Sequence, residues 1–187
     1  MGIIQHIDRI WETGEYRCNR FNTSFLTFAT LHYNGVPFSN QITNKVWLGN
    51  YVESSNAKFM RENRIRVIVN CSKDLPFYFR AEEVPFQYRI PVDDDRQDNS
   101  LYVMFIYLPK IVDIIKFHVG RGENVYIHCH AGMQRSACVA AAYIMNVFKT
   151  DPDTAIAYIR KHRKVAFMPF VNFDKSLRNY YEQIKNN

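Results

Sequence analysis

"VYIHCHAGMQRSACVAAAYIM", residues 125–145, decides the fold. Residues 125–128 read as a short buried strand and 136–148 as a helix apolar on nearly every face, so "CHAGMQR" is the connecting loop. In open α/β sheets, ligands gather where strands end and the following helices begin. The leading N–H groups of such a helix have no intrahelical partner, and with the helix dipole they favour an anion. Gly132 lets the backbone curl tightly around that guest. The same positive field acts on Cys129, because helix mouths and nearby arginines lower a cysteine pKa from about 8.5 into a range of about 3.5–7.5. A thiolate is therefore expected. Arg135 suits a phosphate, since its planar fork makes two parallel hydrogen bonds that a lysine ammonium cannot. An isolated cysteine is usually a small buried hydrophobe, but a core cysteine has no need of Gly132 and Arg135 at this spacing. A metal site built from His128, Cys129 and His130 is disfavoured, because consecutive strand residues point to opposite faces.

Outward from this unit, strand-like runs alternate with helical ones. "KVWLG", "RVIVNCS", "FQYRIPV" and "NVYIHC" read as strands; "SSNAKFMRENR" and residues 100–119, 135–149, 151–163 and 171–185 read as helices. Such alternation predicts one α/β domain with a largely parallel central sheet flanked by helices. Ser54-Ser55-Asn56, Asp98-Asn99-Ser100 and Asp151-Pro152 are the expected caps, with Asp153 as an alternative for the last. Pro109 either kinks its helix or marks a later start near Leu108. Residues 1–40 change texture: an amphipathic helix carrying Ile3, Ile4, Ile7, Ile10 and Trp11 leads into a polar-aromatic stretch. We read 1–40 as an extension and 41–187 as the domain that carries this loop.

Composition bounds the rest. With 187 residues, 47% of them hydrophobic, the chain suits one packed domain and leaves little room for two. A formal charge of +6 favours an anionic ligand without naming it. The first 20 residues lack an apolar secretion core, and "MGIIQH" has His6 where a myristoylation site needs Ser or Thr. No stretch approaches the roughly 18 apolar residues of a membrane span. Four cysteines without paired spacing read as thiols in a reducing, intracellular compartment.

"HCHAGMQRSACVAAAYIM" resembles the H-C-x-x-G-x-x-R-S signature of cysteine-dependent phosphatases, in the dual-specificity branch. "ITNKVWLGNYVESSN", "RIRVIVNCSKDLP" and "YRIPVDDD" are similar to that family's opening strand, second strand and acid loop; the wording "TNKVWLGNY" resembles its poxviral members. The resemblance implies a protein tyrosine phosphatase-like fold and hydrolysis of phosphotyrosine, phosphoserine and phosphothreonine in phosphorylated protein substrates, with no metal or cofactor. It implies Cys129 as nucleophile, Arg135 and the loop of His130, Ala131, Gly132, Met133 and Gln134 as the phosphate cradle, and Ser136 as the hydroxyl that stabilises the departing thiolate. His128 would support the loop. Asp94 would be the general acid, with Asp93 and Asp95 as alternatives whose bland explanation is an exposed turn or pairing with Arg96. Asp98 is read as a cap. Gln134 and Cys138 stand where the family commonly has Ser and Thr. Phe170 replaces the Asn usual after Pro169, an amide otherwise available to support the loop or the pocket.

Weaker signals have two readings each. Cys71 is either a small buried residue or a thiol that caps the oxidised nucleophile. "RKHRK" at 160–164 reads as a solvated helix end, against a recruiting patch for acidic partners. The aromatics of "LPFYF" read as core. The amino-terminal helix either packs on its own domain or exchanges with a second chain in a homodimer. Rival functions are an RNA 5′-phosphatase or phosphoinositide phosphatase, favoured by charge but lacking any motif, so that nucleic acid is disfavoured, and a non-catalytic phospho-binding module.

Overall fold

The computed structural model describes residues 35–185. The amino-terminal isoleucine stripe and Cys18 lie outside the described residues. Strands β1 (Ser39–Thr43), β2 (Val46–Gly49), β3 (Ile65–Asn70), β4 (Phe86–Arg89) and β5 (Asn124–His128) form one sheet in the order β1-β2-β5-β3-β4. The β1–β2 pair is antiparallel; the other three pairings are parallel, as the alternating pattern predicts. β1 was not foreseen, because "SNQIT" buries only Ile42 and carries no apolar alternation.

β5 is central, and its alternation assigns its two faces. Val125 and Ile127 join Val67, Val69, Val46 and Leu48 in the main core. Tyr126 turns the other way, into a second cluster with Trp47, Ile68 and Met60. Phe77 and Phe79 pack on that second cluster, so the core reading of "LPFYF" holds for them, while Tyr78 is exposed. The short helices α1 (Tyr51–Ser54) and α2 (Ala57–Glu62) follow β2; Asn56 caps α2, its side chain accepting from the Phe59 N–H.

The main core is covered by α3 (Asp98–Gly120), α4 (Arg135–Phe148), α5 (Pro152–His162) and α6 (Asp174–Lys185). Every residue of α4 from Arg135 to Met145 is buried, and Ala137, Ala140, Ala141 and Ala142 lower its profile so that neighbours on several sides can approach. Asp151 caps α5 by accepting from the Thr154 N–H, with Pro152 first in the helix where its missing N–H costs nothing. α3 runs unbroken from 98 to 120 through Pro109, which excludes a start near Leu108. The expected cap there is corrected: Gln97 holds the N-cap position without a side-chain bond, while Asp98 lies inside the helix and pairs with Lys175. Among the described residues no helix is long and apolar enough to cross a membrane.

Candidate active site

The carboxyl end of β5 leads directly into the amino end of α4. The register sets Gly49 and Asn70 on either side of His128, so three strands end together beneath the loop 129–135. What shapes that loop is where its carbonyls go. The His130 carbonyl accepts from Tyr51 N–H (3.1 Å) and that of Met133 from Phe167 N–H (2.7 Å). The two between them, Ala131 and Gly132, accept from the Arg163 guanidinium at 3.2 and 2.8 Å. Four consecutive carbonyls are thus tied outward. Across a trans peptide the N–H points opposite to the C=O, so the N–H groups of residues 131–134 turn toward the inside of the loop. Inward amides at a helix mouth make a cup for an anion. Gly132, at φ +68°, lies where a Cβ would overlap the Gly49 carbonyl, so no other residue fits without shifting the strand end.

Arg163 was missed by sequence reading. It stands in "RKHRK", yet it is 1% exposed, and it also donates to Asn40 Oδ1 (2.7 Å). The solvated-face reading is therefore wrong for this residue, and burial pulls its pKa below the usual arginine range. Arg160 also bonds backbone carbonyls, those of Ala166 and Phe167. A fork geometry at a helix end has no local sequence signal, which is why the run looked ordinary.

Cys129 is 1% exposed at the floor of the cup and accepts a hydrogen bond from Ser136 Oγ at 3.2 Å. His128 stacks on Tyr126, and burial pushes its pKa down to about 3, so it is a neutral ring at physiological pH. Arg135 donates from Nη1 to the Val92 carbonyl (3.3 Å), while its buried Nε makes no hydrogen bond, a donor awaiting an acceptor. Asp94 Oδ2 lies 3.6 Å from that Nε. Asp93 instead pairs with Lys73 at the surface, and Asp95 accepts from Gln97 N–H. The Arg96 guanidinium lies over the Phe170 ring, 4.5 Å from its centroid.

Two further connections hold the rim. His130 Nε2 bonds Asp74 at 3.2 Å, and this contact holds the Asp74 carboxyl down to about 2. The turn bearing Asp74 is fixed by Asn70, Ser72 and Arg89, whose side chains bond one another or the carbonyls of Ser72 and Leu75. Cys71 N–H bonds the His128 carbonyl, so Cys71 lies alongside Cys129 on the neighbouring strand, facing the same core; burial raises its thiol pKa well above normal. Cys138 is buried inside α4, as expected for a core residue.

The profile of the family described as "Dual specificity phosphatase, catalytic domain" matches residues 46–183. "Dual specificity protein phosphatase 21" of Homo sapiens is 30% identical over 148 residues, 79% of this chain and 74% of that protein. "Tyrosine-protein phosphatase vhp-1" of Caenorhabditis elegans is 30% identical over 139 residues, 74% of this chain but 20% of that protein. The chain thus spans about a fifth of the length of that longer relative. Among solved structures, a mouse protein described as a dual specificity phosphatase, complexed with zinc tungstate, is 25% identical with a TM-score of 0.71, covering 80% of this chain and 90% of that one.

Proposed function

Because the chain belongs to the dual specificity phosphatase family, we propose that it hydrolyses phosphate monoesters of tyrosine, serine and threonine in proteins through a phosphocysteine intermediate. The observation that carries this reading is the cup: four carbonyls pulled outward around a buried sulfur. In the first step the Cys129 sulfur attacks phosphorus, the P–O ester bond breaks, and the leaving oxygen takes a proton from the Asp94 carboxyl. Arg135 and the loop amides of residues 130–135 hold the three non-bridging oxygens, whose charge is spread in the transition state. In the second step water attacks the phosphocysteine, its proton passes to Asp94, and sulfur leaves as a thiolate that the Ser136 hydroxyl stabilises by hydrogen bonding. His128 supports the loop as a neutral, stacked ring. No step asks for a metal or cofactor.

Cys129→Ala should abolish turnover of an aryl phosphate and of phosphotyrosine and phosphothreonine peptides alike; full activity in that variant would sink the reading. Running triphosphorylated RNA and inositol phosphates in parallel ranks the substrate class. Because β1 begins at Ser39, we place the catalytic domain at 39–187, two residues ahead of the expected boundary at 41, and the extension at 1–38. We propose that the extension pairs two copies; sedimentation of the full chain against one lacking residues 1–38 tests this, and the same oligomeric state for both would refute it. Free thiols at Cys71, Cys129 and Cys138 support a reducing, intracellular address. Cys71 is the candidate cap for oxidised Cys129, and a 71–129 disulfide after mild peroxide treatment is its signature.

A further inference from the structure

Gln134 precedes Arg135 at the lip of the cup, 6% exposed, with its amide fully used. Its Nε2 donates to the carbonyls of Met168 (2.9 Å) and Phe170 (2.8 Å), and its Oε1 accepts from Asn172 N–H (3.1 Å). The Asn172 side chain then donates from Nδ2 to Asp94 Oδ1 at 2.8 Å. A carboxylate only accepts, so the amide nitrogen is the end that faces it. The path closes on itself: Asp94 Oδ2 lies beside Arg135 Nε, and Arg135 is the next residue after Gln134.

We propose that Asn172 and Gln134 are positioning residues for the acid step, holding Asp94 by one oxygen so that the other presents its proton to the leaving group; the inference rests on the role given above to Asp94. Three observations favour it over a merely structural tie. Both oxygens of Asp94 are differentiated, Oδ1 by an amide donor and Oδ2 by the site arginine. The segment 168–172 has no regular secondary structure of its own, and Gln134 supplies three of its anchoring bonds. Because Phe170 cannot support this segment with an amide, Gln134, reaching out from the cup, and Asn172, within the segment, provide the amides.

The test is a series of aryl phosphates with leaving groups from strongly to weakly acidic, measured as kcat and kcat/KM for the parent, Asn172→Ala, Asn172→Ser, Gln134→Met, Asp94→Asn and the Asn172→Ala/Asp94→Asn double variant. General acids contribute about 10²–10⁴-fold, and their loss falls on poor leaving groups. Asn172→Ala should lower the rate on the least acidic leaving group about 10-fold more than on the most acidic, a part of the effect of Asp94→Asn. It should add nothing in the Asp94→Asn background. Gln134→Met should tilt the series the same way. If Asn172→Ala does not fold, Asn172→Ser carries the test, since its hydroxyl is too short to reach Asp94. A uniform loss across the series, or full additivity with Asp94→Asn, overturns the positioning role while leaving the acid in place. A flat series for Asp94→Asn itself removes the acid assignment and this inference together.

Discussion

Replacing Arg163 with methionine removes a buried fork while keeping most of its volume. The hydrogen bonds to Gly132 O, Ala131 O and Asn40 Oδ1 go with it. Asn40 is half-exposed and can turn to water, but the two loop carbonyls have no substitute donor in methionine. A stranded buried acceptor costs about 1–3 kcal/mol, so two cost about 2–6 kcal/mol. Against that, an apolar side chain does not need a guanidinium's water stripped away, and replacing buried charges is often less harmful than breaking their partners' bonds. The net expectation is a loss of about 2–4 kcal/mol, or about 5–15 °C in Tm for a domain of this size. Activity should fall as well, because peptides 131–132 and 132–133 are then free to turn their carbonyls into the cup, where they repel an anion. Calorimetry and kcat/KM on an aryl phosphate measure both, and Arg163→Lys should recover only part of either, since an ammonium cannot span two carbonyls. An unchanged Tm with unchanged kcat/KM would refute the reasoning that Arg163 sets the loop.

The remaining predictions concern charge and reactivity. Asp74, held at about 2 by His130 against an ordinary 3.8, contributes stability that is present above pH about 4 and lost as pH falls toward 2. Since its side chain is largely exposed, the contribution is small, and Asp74→Asn should flatten only part of the acid limb of a Tm–pH curve. His128 works in the same direction by another route: folded it takes a proton near pH 3, unfolded near 6.5, so stability falls as pH drops between these values and is flat above. Unfolding free energy measured by denaturant should therefore carry about one proton more of pH dependence in the parent than in His128→Phe across that window. Among the three described cysteines, Cys71 and Cys138 have thiols raised well above normal by burial. Iodoacetamide at neutral pH should thus modify Cys129 ahead of Cys71 and Cys138 in the native protein, and peptide mapping that finds Cys138 modified before Cys129 would contradict this.

The decisive strand–loop–helix was legible because its signals are local: a β-run, a glycine, an arginine and an apolar helix in unbroken order. The parallel sheet followed from alternation of elements, and Asp151 and Asn56 were readable as caps because capping is decided within four residues. Asp98 was not, since an acidic residue in the first turn serves the helix dipole as well as a cap would. β1 escaped because an edge strand needs few apolar residues to pair. Arg163 and Asn172 escaped, and Gln134, expected in the cradle, was not foreseen as a tie to residues 168–172, for a different reason. Their partners lie 31 or more residues away, or are backbone carbonyls with no sequence identity at all. The substitution at Phe170 looked like a loss of support, and only the three-dimensional arrangement reveals that amides at 134 and 172 face the same gap.

The central claim is that a phosphoryl group passes through sulfur. Rapid acid quench of the parent during turnover of a labelled phosphopeptide, followed by peptide mapping, should find a phosphoryl adduct on the fragment bearing Cys129, and none in Cys129→Ala. A label on another residue, or an active parent that never carries one even when water attack is slowed by Asp94→Asn, would contradict it.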